Sequence, residues 1–233
     1  MQIVYRISDT GYSKVKPGYI NNENCLKNFC SVFFNHIYDI KILADSCSED
    51  TLKMISKYID PVNIEKVSVG HGAGTFNLAL DLALKNSDEE VVYFVENDYI
   101  HRQDAAEALL EGFQLGTDFL TLYDHPDKYF DGPNPYVSQG GEDTKVFLTK
   151  SCHWKFTNST TMTFAGRVSA LRKHEPILRE YTSTHHPHDF EMWIALRNQG
   201  ASLISPIPGF STHGEAAWLA PIVNWESYAN SNT

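Results

Sequence analysis

The sequence predicts an α/β protein built on an open, mostly parallel sheet flanked by helices. Three observations carry that expectation. As far as Asp124, short β-rich apolar runs alternate with longer helical segments, a rhythm in which crossover helices join parallel strands. The run VVYFV at 91–95 has no polar alternation, as in a strand covered on both faces. Beyond Asp124 the rhythm gives way to shorter strand-like runs, which predicts a small antiparallel part toward the C-terminus.

In chain order, MQIVYRI is the first strand, and the turn-rich SDTGYSKVKPGYINNEN follows it, punctuated by Gly11 and Pro17–Gly18. A helix is predicted over 25–34, with Leu26, Phe29 and Phe33 at three- and four-residue spacings. YDIKILAD reads as a strand ending at Asp45, and a helix follows whose start carries Ser48, Glu49 and Asp50. VSVG (67–70) reads as a short strand entering the turn GHGAG, and TFNLALDLALKN as a helix. EEVVYFVEND is the central strand, HRQDAAEALLEGFQLG a helix, and TDFLTLYD a further strand. Residues 124–145 are rich in Pro, Gly, Asp and Asn, a long loop suited to closing over a ligand. TKVFLT and SCHWKFTNSTTMTFAG read as antiparallel strands, and VSALRKHEPILREYT as a helix. In PHDFEMWIALRNQG, Pro187 suits a first helical turn and Gly200 the helix end.

A length of 233 residues, 42% of them apolar, suits one full-sized domain, with two small ones as the alternative. No apolar run is long enough to span a membrane, and MQIVYRISDT lacks a signal-peptide pattern, so a cytoplasmic chain is expected. The net charge of −10 argues against a nucleic-acid backbone as partner. A small nucleotide stays compatible, because a cation held by carboxylates can carry the local positive charge. Four scattered cysteines without a CxxC pair, and His185, His186 and His188 without HExxH spacing, disfavour a zinc site.

Ligands of an open parallel sheet gather beyond the carboxyl ends of its strands. Glu96 and Asp98 stand there, two apart on an extended segment, where both could face one Mg²⁺ or Mn²⁺ ion; a capped turn is the plainer alternative. Asp45 ends an earlier strand and either contacts a nucleoside or caps the helix near Ser48. Gly70, Gly72 and Gly74 open the helix containing Asn77, where a turn can offer amides to an anion or serve only as a turn. GHGAGTF lacks both the dinucleotide fingerprint and the GK[ST] of a phosphate loop. Trp193 reads mainly as helix packing, with stacking on an acceptor sugar as the alternative, and Trp154 and His153 as candidates for an acceptor cleft.

In this order the motifs resemble the large inverting glycosyltransferase family 2 of the GT-A fold. ADSCSEDT, at 44–51, stands where that family has a DDGSTDGT-like run, and Asp45 matches the aspartate that contacts the base. GHGAGTFNLALDLAL resembles the glycine-rich run, with Gly72, followed by an asparagine in a helix, here Asn77. VVYFVENDYI resembles the DxD-type metal element, with Glu96 for its first aspartate and Asp98 for its last. HDFEMWIALRNQG resembles the helix opened by an acidic pair, in which Asp189 matches the catalytic base and His188 replaces the preceding acid. STHG offers His213 as a further metal ligand.

The resemblance covers residues 1–215 and implies one domain over 1–233. Residues 1–123 would bind the nucleotide sugar, 124–215 would hold acceptor and base, and 216–233 would form a tail. It implies a nucleoside-diphosphate sugar as donor, UDP-linked, with Mn²⁺ or Mg²⁺ on Asp98, Glu96 and His213, and a hydroxyl-bearing acceptor such as a glycan. Asp189 would take the acceptor's proton as the hydroxyl displaces the diphosphate with inversion, and Glu191 is the rival base. A sugar-1-phosphate nucleotidyltransferase and a non-catalytic glycan-binding protein are the alternatives.

Overall fold

The computed structural model describes residues 1–10, 14–137 and 144–230, save the side chains of residues 36–38. In chain order the elements are β1 (Gln2–Ser8), α1 (Asn22–Val32), β2 (Ile40–Asp45), α2 (Glu49–Ile55), β3 (Ile64–Val67), α3 (Gly72–Ala83), β4 (Val91–Glu96), β5 (Tyr99–His101), α4 (Ala105–Phe113) and β6 (Phe119–Leu120). There follow β7 (Val146–Leu148), β8 (His153–Phe156), β9 (Phe164–Arg167), α5 (Val168–Glu180), α6 (Asp189–Asn198), β10 (Leu203–Ile207), β11 (Ser211–His213) and α7 (Trp225–Asn230). A nine-stranded sheet runs in the order β3-β2-β1-β4-β9-β6-β10-β8-β7, and β11 pairs with β5 in a second, two-stranded sheet.

The first four strands of the large sheet are mutually parallel, whereas β9 and β8 run against their neighbours. The expected fold class therefore stands, with one rearrangement. The antiparallel strands are not confined to a C-terminal corner, since β9 lies between β4 and β6 in mid-sheet.

Both faces of the central strands are buried, as VVYFV implied: Val92, Tyr93, Phe94 and Val95 are each 0% exposed. On β1, Ile3, Tyr5 and Ile7 pack with Leu26 and Phe29 of α1 and Leu109 of α4. Val4 faces the opposite layer with Phe76 of α3, Leu178 of α5 and Trp193 of α6. Each such side chain contributes ~1.5–3 kcal/mol on burial, which makes the strand ends of this sheet firm supports for polar groups. Trp193 is 2% exposed and crosses Phe164 and Phe119 edge-on, so it packs the core and is closed to a sugar.

Of the element boundaries that differ from expectation, three have a visible cause in the fold. The strand expected over 67–70 lies at Ile64–Val67, because the amides of Val69 and Gly70 donate to the Asp45 carboxylate and not to a strand ladder. The helix expected from His101 begins at Ala105, since Tyr99–His101 is claimed by β11 from the far end of the chain. Helix α6 begins at Asp189, which leaves Pro187 ahead of its N-cap. No helix among the described residues is long and apolar enough to cross a membrane.

Candidate active site

A cavity of about 530 Å³ opens at the carboxyl ends of β1, β2 and β4. Arg6, 5% exposed, ties its walls together. The guanidinium donates to the carbonyls of Gly72 (3.1 Å) and Met162 (3.0 Å) and lies 3.5 Å from Glu96.

Asp45 lines this cavity without capping α2, whose cap is Ser48. Its carboxylate accepts from the amides of Val69 (2.7 Å) and Gly70 (3.0 and 2.9 Å). Gly70 needs its left-handed backbone there, with φ of +79°. Asp45 thereby sets the turn that delivers Gly72 and Thr75 to the cavity wall. Asn77 is not brought there. Its side chain accepts from Thr182 and Arg179 and donates to the Thr182 carbonyl, linking α3 to α5. Position 77 lies roughly 200° around the helix from Thr75, hence on another face.

Glu96 and Asp98 both line the cavity but share no partner. The extended chain ends at Glu96, so the alternation expected to align the two carboxylates is broken. Glu96 accepts from Thr163 Oγ1 at 3.2 Å and pairs with Arg6. Asp98 instead meets Lys16 Nζ at 2.9 Å and His213 Nε2 at 3.4 Å, both on Oδ2. Burial opposes ionisation of Asp98, but His213 and the Lys16 ammonium outweigh it and hold the carboxyl well below its usual range. Strand pairing explains the meeting of Asp98 and His213, because β11 places His213 opposite Tyr99. Gly214 permits the close approach: a Cβ there would lie 2.6 Å from the Asp98 carbonyl oxygen and 2.5 Å from Ile20 Cγ2.

Asp98 and His213 fit a divalent cation as a pair, a carboxylate oxygen and an imidazole nitrogen converging on one point. Among the described residues no three His, Cys, Asp or Glu side chains gather as a ligand set. Glu96 is turned to Arg6, so oxygens of a bound phosphate would have to complete the shell.

A second cavity of about 260 Å³ shares Lys14 and His213 with the first. Asp189 lines it, at the start of α6, and its Oδ1 accepts from the Phe190 amide at 2.8 Å. Burial, reinforced by the charge of Glu96, pushes the Asp189 carboxyl up to about 6. Two other carboxylates line this wall: Glu215 pairs with Lys14 at 3.3 Å, and Asp127 is committed. It accepts from Lys128 (2.9 Å), Ser159 (2.9 Å) and Asn134 (3.0 Å). Trp218 and Phe190 supply apolar surface, with Trp218 stacked on Phe130 at 6.0 Å. Glu191 is exposed and lines neither cavity. Trp154, at 0% exposure, packs beneath Leu120 and Gly112, and His153 lies on the surface, so neither reaches this cleft. Of the 124–145 loop, residues 138–143 lie outside the described residues; His125, Asp127 and Pro133 wall the second cavity and not the first.

No protein-family model matches the sequence, and no curated protein matches it. Among solved structures the chain is similar to GalNAc-T7, solved with UDP, GalNAc and Mn²⁺, at a TM-score of 0.56 and 12% identity over 91% of this chain and 43% of that one. It is also similar to the galactosyltransferase LgtC in complex with donor and acceptor sugar analogues, at 0.46 and 14% over 87% and 73%. A third similar structure is S. aureus TarS, at 0.47 and 15% over 88% and 35%. At such identities the likeness is one of fold. The fold is GT-A-like.

Within this GT-A-like fold several cavity residues were given no role by the sequence, His71 and Asn97 among them although they lie inside quoted motifs. Arg6, Asp9, Lys14, Lys16, His71 and Asn97 line the larger cavity, and His125, Asp127 and Trp218 the smaller. One signal was readable: the rule that ligands gather beyond strand ends applies to β1 as well as β4, and it points to the loop holding Asp9, Lys14 and Lys16.

Proposed function

We propose that the chain is a metal-assisted glycosyltransferase that moves a sugar from a nucleoside-diphosphate sugar, UDP-linked, to a hydroxyl of a glycan acceptor with inversion. One observation carries this reading. Two cavities meet at Lys14 and His213, with the carboxylate of Asp98 in the larger and that of Asp189 in the smaller. Donor and acceptor can thus be held on opposite sides of a reacting carbon. The GT-A-like fold, and the UDP, GalNAc and Mn²⁺ of GalNAc-T7, support the choice of ligand for the larger cavity.

Asp98 and His213 would hold Mn²⁺ or Mg²⁺, which when bound supplies positive charge beside the departing diphosphate. Asp45 keeps the Val69–Gly70 turn against the nucleoside end, and Gly72 offers backbone at the start of α3. Arg6 holds Glu96 away from the phosphates, at the sugar side. Asp189 accepts the acceptor's proton as its hydroxyl attacks; with its carboxyl near 6 it is ionised at neutral pH and a better base than an ordinary aspartate. Asp127, bound by Lys128, Ser159 and Asn134, and Glu215, paired with Lys14, are less suited than Asp189 to attack a sugar carbon as a second carboxylate, which supports one-step inversion.

The test is a screen of nucleotide sugars with Mn²⁺ or Mg²⁺, following donor hydrolysis and then the anomeric configuration of the product by NMR. A retained configuration would overturn the one-step mechanism. Pyrophosphate released from a sugar-1-phosphate and NTP would replace the transferase reading by a nucleotidyltransferase. Glycan binding without turnover would leave only the binding protein.

A further inference from the structure

The segment Lys14–Val15–Lys16 is used by none of the roles above. It lies outside any helix or strand beside the larger cavity, and Pro17 disfavours a helical Lys16. The segment is clasped to the far end of the chain: the Ala216 amide donates to the Val15 carbonyl at 2.9 Å, and Lys14 pairs with Glu215 at 3.3 Å. Val15 stands 79% exposed while both lysines line the cavity. Lys16 Nζ lies 2.9 Å from Asp98 Oδ2, and Lys14 Nζ lies 3.5 Å from His213 Nε2. Lys14 also lines the smaller cavity and so stands where the two meet.

The larger cavity has carboxylates at Asp9, Asp45, Glu96 and Asp98. A diphosphate can enter it only if cations outweigh them. Arg6 is directed to two carbonyls and Glu96, whereas Lys14 and Lys16 carry their ammonium groups on long side chains paired with Glu215 and Asp98 at the cavity lining. We infer that Lys14 and Lys16 bind the diphosphate of the donor, and that Lys16 shares the Asp98 oxygen with the divalent cation. Lys16 turns from Asp98 to the phosphate once that carboxylate is neutralised by another cation, and Lys14 meets the phosphate at the junction facing the acceptor. Two long side chains on a clasped strap can make that turn without backbone movement. The inference rests on the donor-site reading of the larger cavity.

Calorimetric titration of the wild-type chain, Lys14→Met and Lys16→Met with UDP and with uridine, in the presence of Mn²⁺, separates the two. Loss of a charged hydrogen bond to phosphate predicts a ~10–100-fold weaker UDP affinity in each variant. Uridine affinity should be unchanged, which also certifies an intact cavity. Titration with Mn²⁺ alone reads the shared oxygen: without a competing ammonium, Lys16→Met should bind the ion about fivefold more tightly. UDP affinity equal to wild type in the lysine variants overturns the clamp, and unchanged or weaker Mn²⁺ binding by Lys16→Met overturns the sharing of Asp98. A wild-type chain that binds neither UDP nor uridine rejects the donor site itself and the inference with it.

Discussion

Replacing Asp189 by asparagine tests the proposed chemistry and a consequence for stability together. The variant keeps the size of the side chain and its acceptor for the Phe190 amide, which lies 2.8 Å away. It removes a carboxyl raised from 3.8 to about 6, chiefly by burial and then by the charge of Glu96. A folded-state value above the unfolded one means that the folded protein holds this proton more tightly. The group's contribution to stability is therefore present below the unfolded value and is lost as pH rises through about 6. Two units at ~1.36 kcal/mol each bound the effect at about 3 kcal/mol, and partial hydration reduces it to about 1–3 kcal/mol. Asp189→Asn should be more stable than wild type by that amount in urea unfolding at neutral pH, and equal to it near pH 4. Transfer should fall ~10²–10⁴-fold with donor affinity unchanged. In the wild type, kcat/KM should decline on the acid side with a midpoint near pH 6, as the base becomes protonated. Glu191→Gln should stay close to wild type, since that side chain is exposed. A fully active Asp189→Asn chain would refute the base assignment, and an inactive Glu191→Gln chain with intact donor binding would transfer it. A destabilised Asp189→Asn chain at neutral pH would refute the buried-charge reasoning.

Asp98→Ala should abolish Mn²⁺-dependent nucleotide binding while costing about 1–3 kcal/mol of stability, the range for a lost hydrogen bond to a charged, mostly buried group; calorimetry showing unchanged metal dependence would exclude Asp98 as a ligand. Asp45→Ala should weaken nucleotide affinity more than saturated turnover. It should also cost about 2–4 kcal/mol in denaturant unfolding, because the Val69 and Gly70 amides lose their acceptor. Unfolding at the wild-type midpoint would count against that role. Gly214→Ala places a methyl against the Asp98 carbonyl oxygen and Ile20. It should lower stability by about 1–3 kcal/mol and weaken Mn²⁺ binding as β11 is pushed from Asp98; an unaffected Mn²⁺ isotherm would argue that the approach of β11 does not matter.

Fold class was legible because it depends on patterns that repeat along the chain. Each strand–helix unit signals its own period, and VVYFV reports two buried faces by having no polar residue to turn outward. The strand-end rule then placed Asp45, Glu96 and Asp98 on the cavity, since a parallel sheet presents its carboxyl ends at one edge. What local pattern could not decide was which strand ends would face each other. His101 was read into a helix because nothing near it announces β5; its partner strand begins at Ser211, and the pairing beside Tyr99 is what brings His213 to Asp98. Their two-residue spacing lets Glu96 and Asp98 face one ion, yet the chain turns after Glu96, and Arg6 from β1 draws that carboxylate away. Asn77 matched a motif but faces α5, because the angle of a helix about its axis is set by packing. The sequence by itself determined the elements, the two-sided core and the edge where polar groups collect, all of which follow from local periodicity and burial. Only the tertiary structure decided that Asp98 meets Lys16 and His213, and that Asp189 lies across the shared wall. Those contacts join segments far apart in the chain, and their free energy has no local signature.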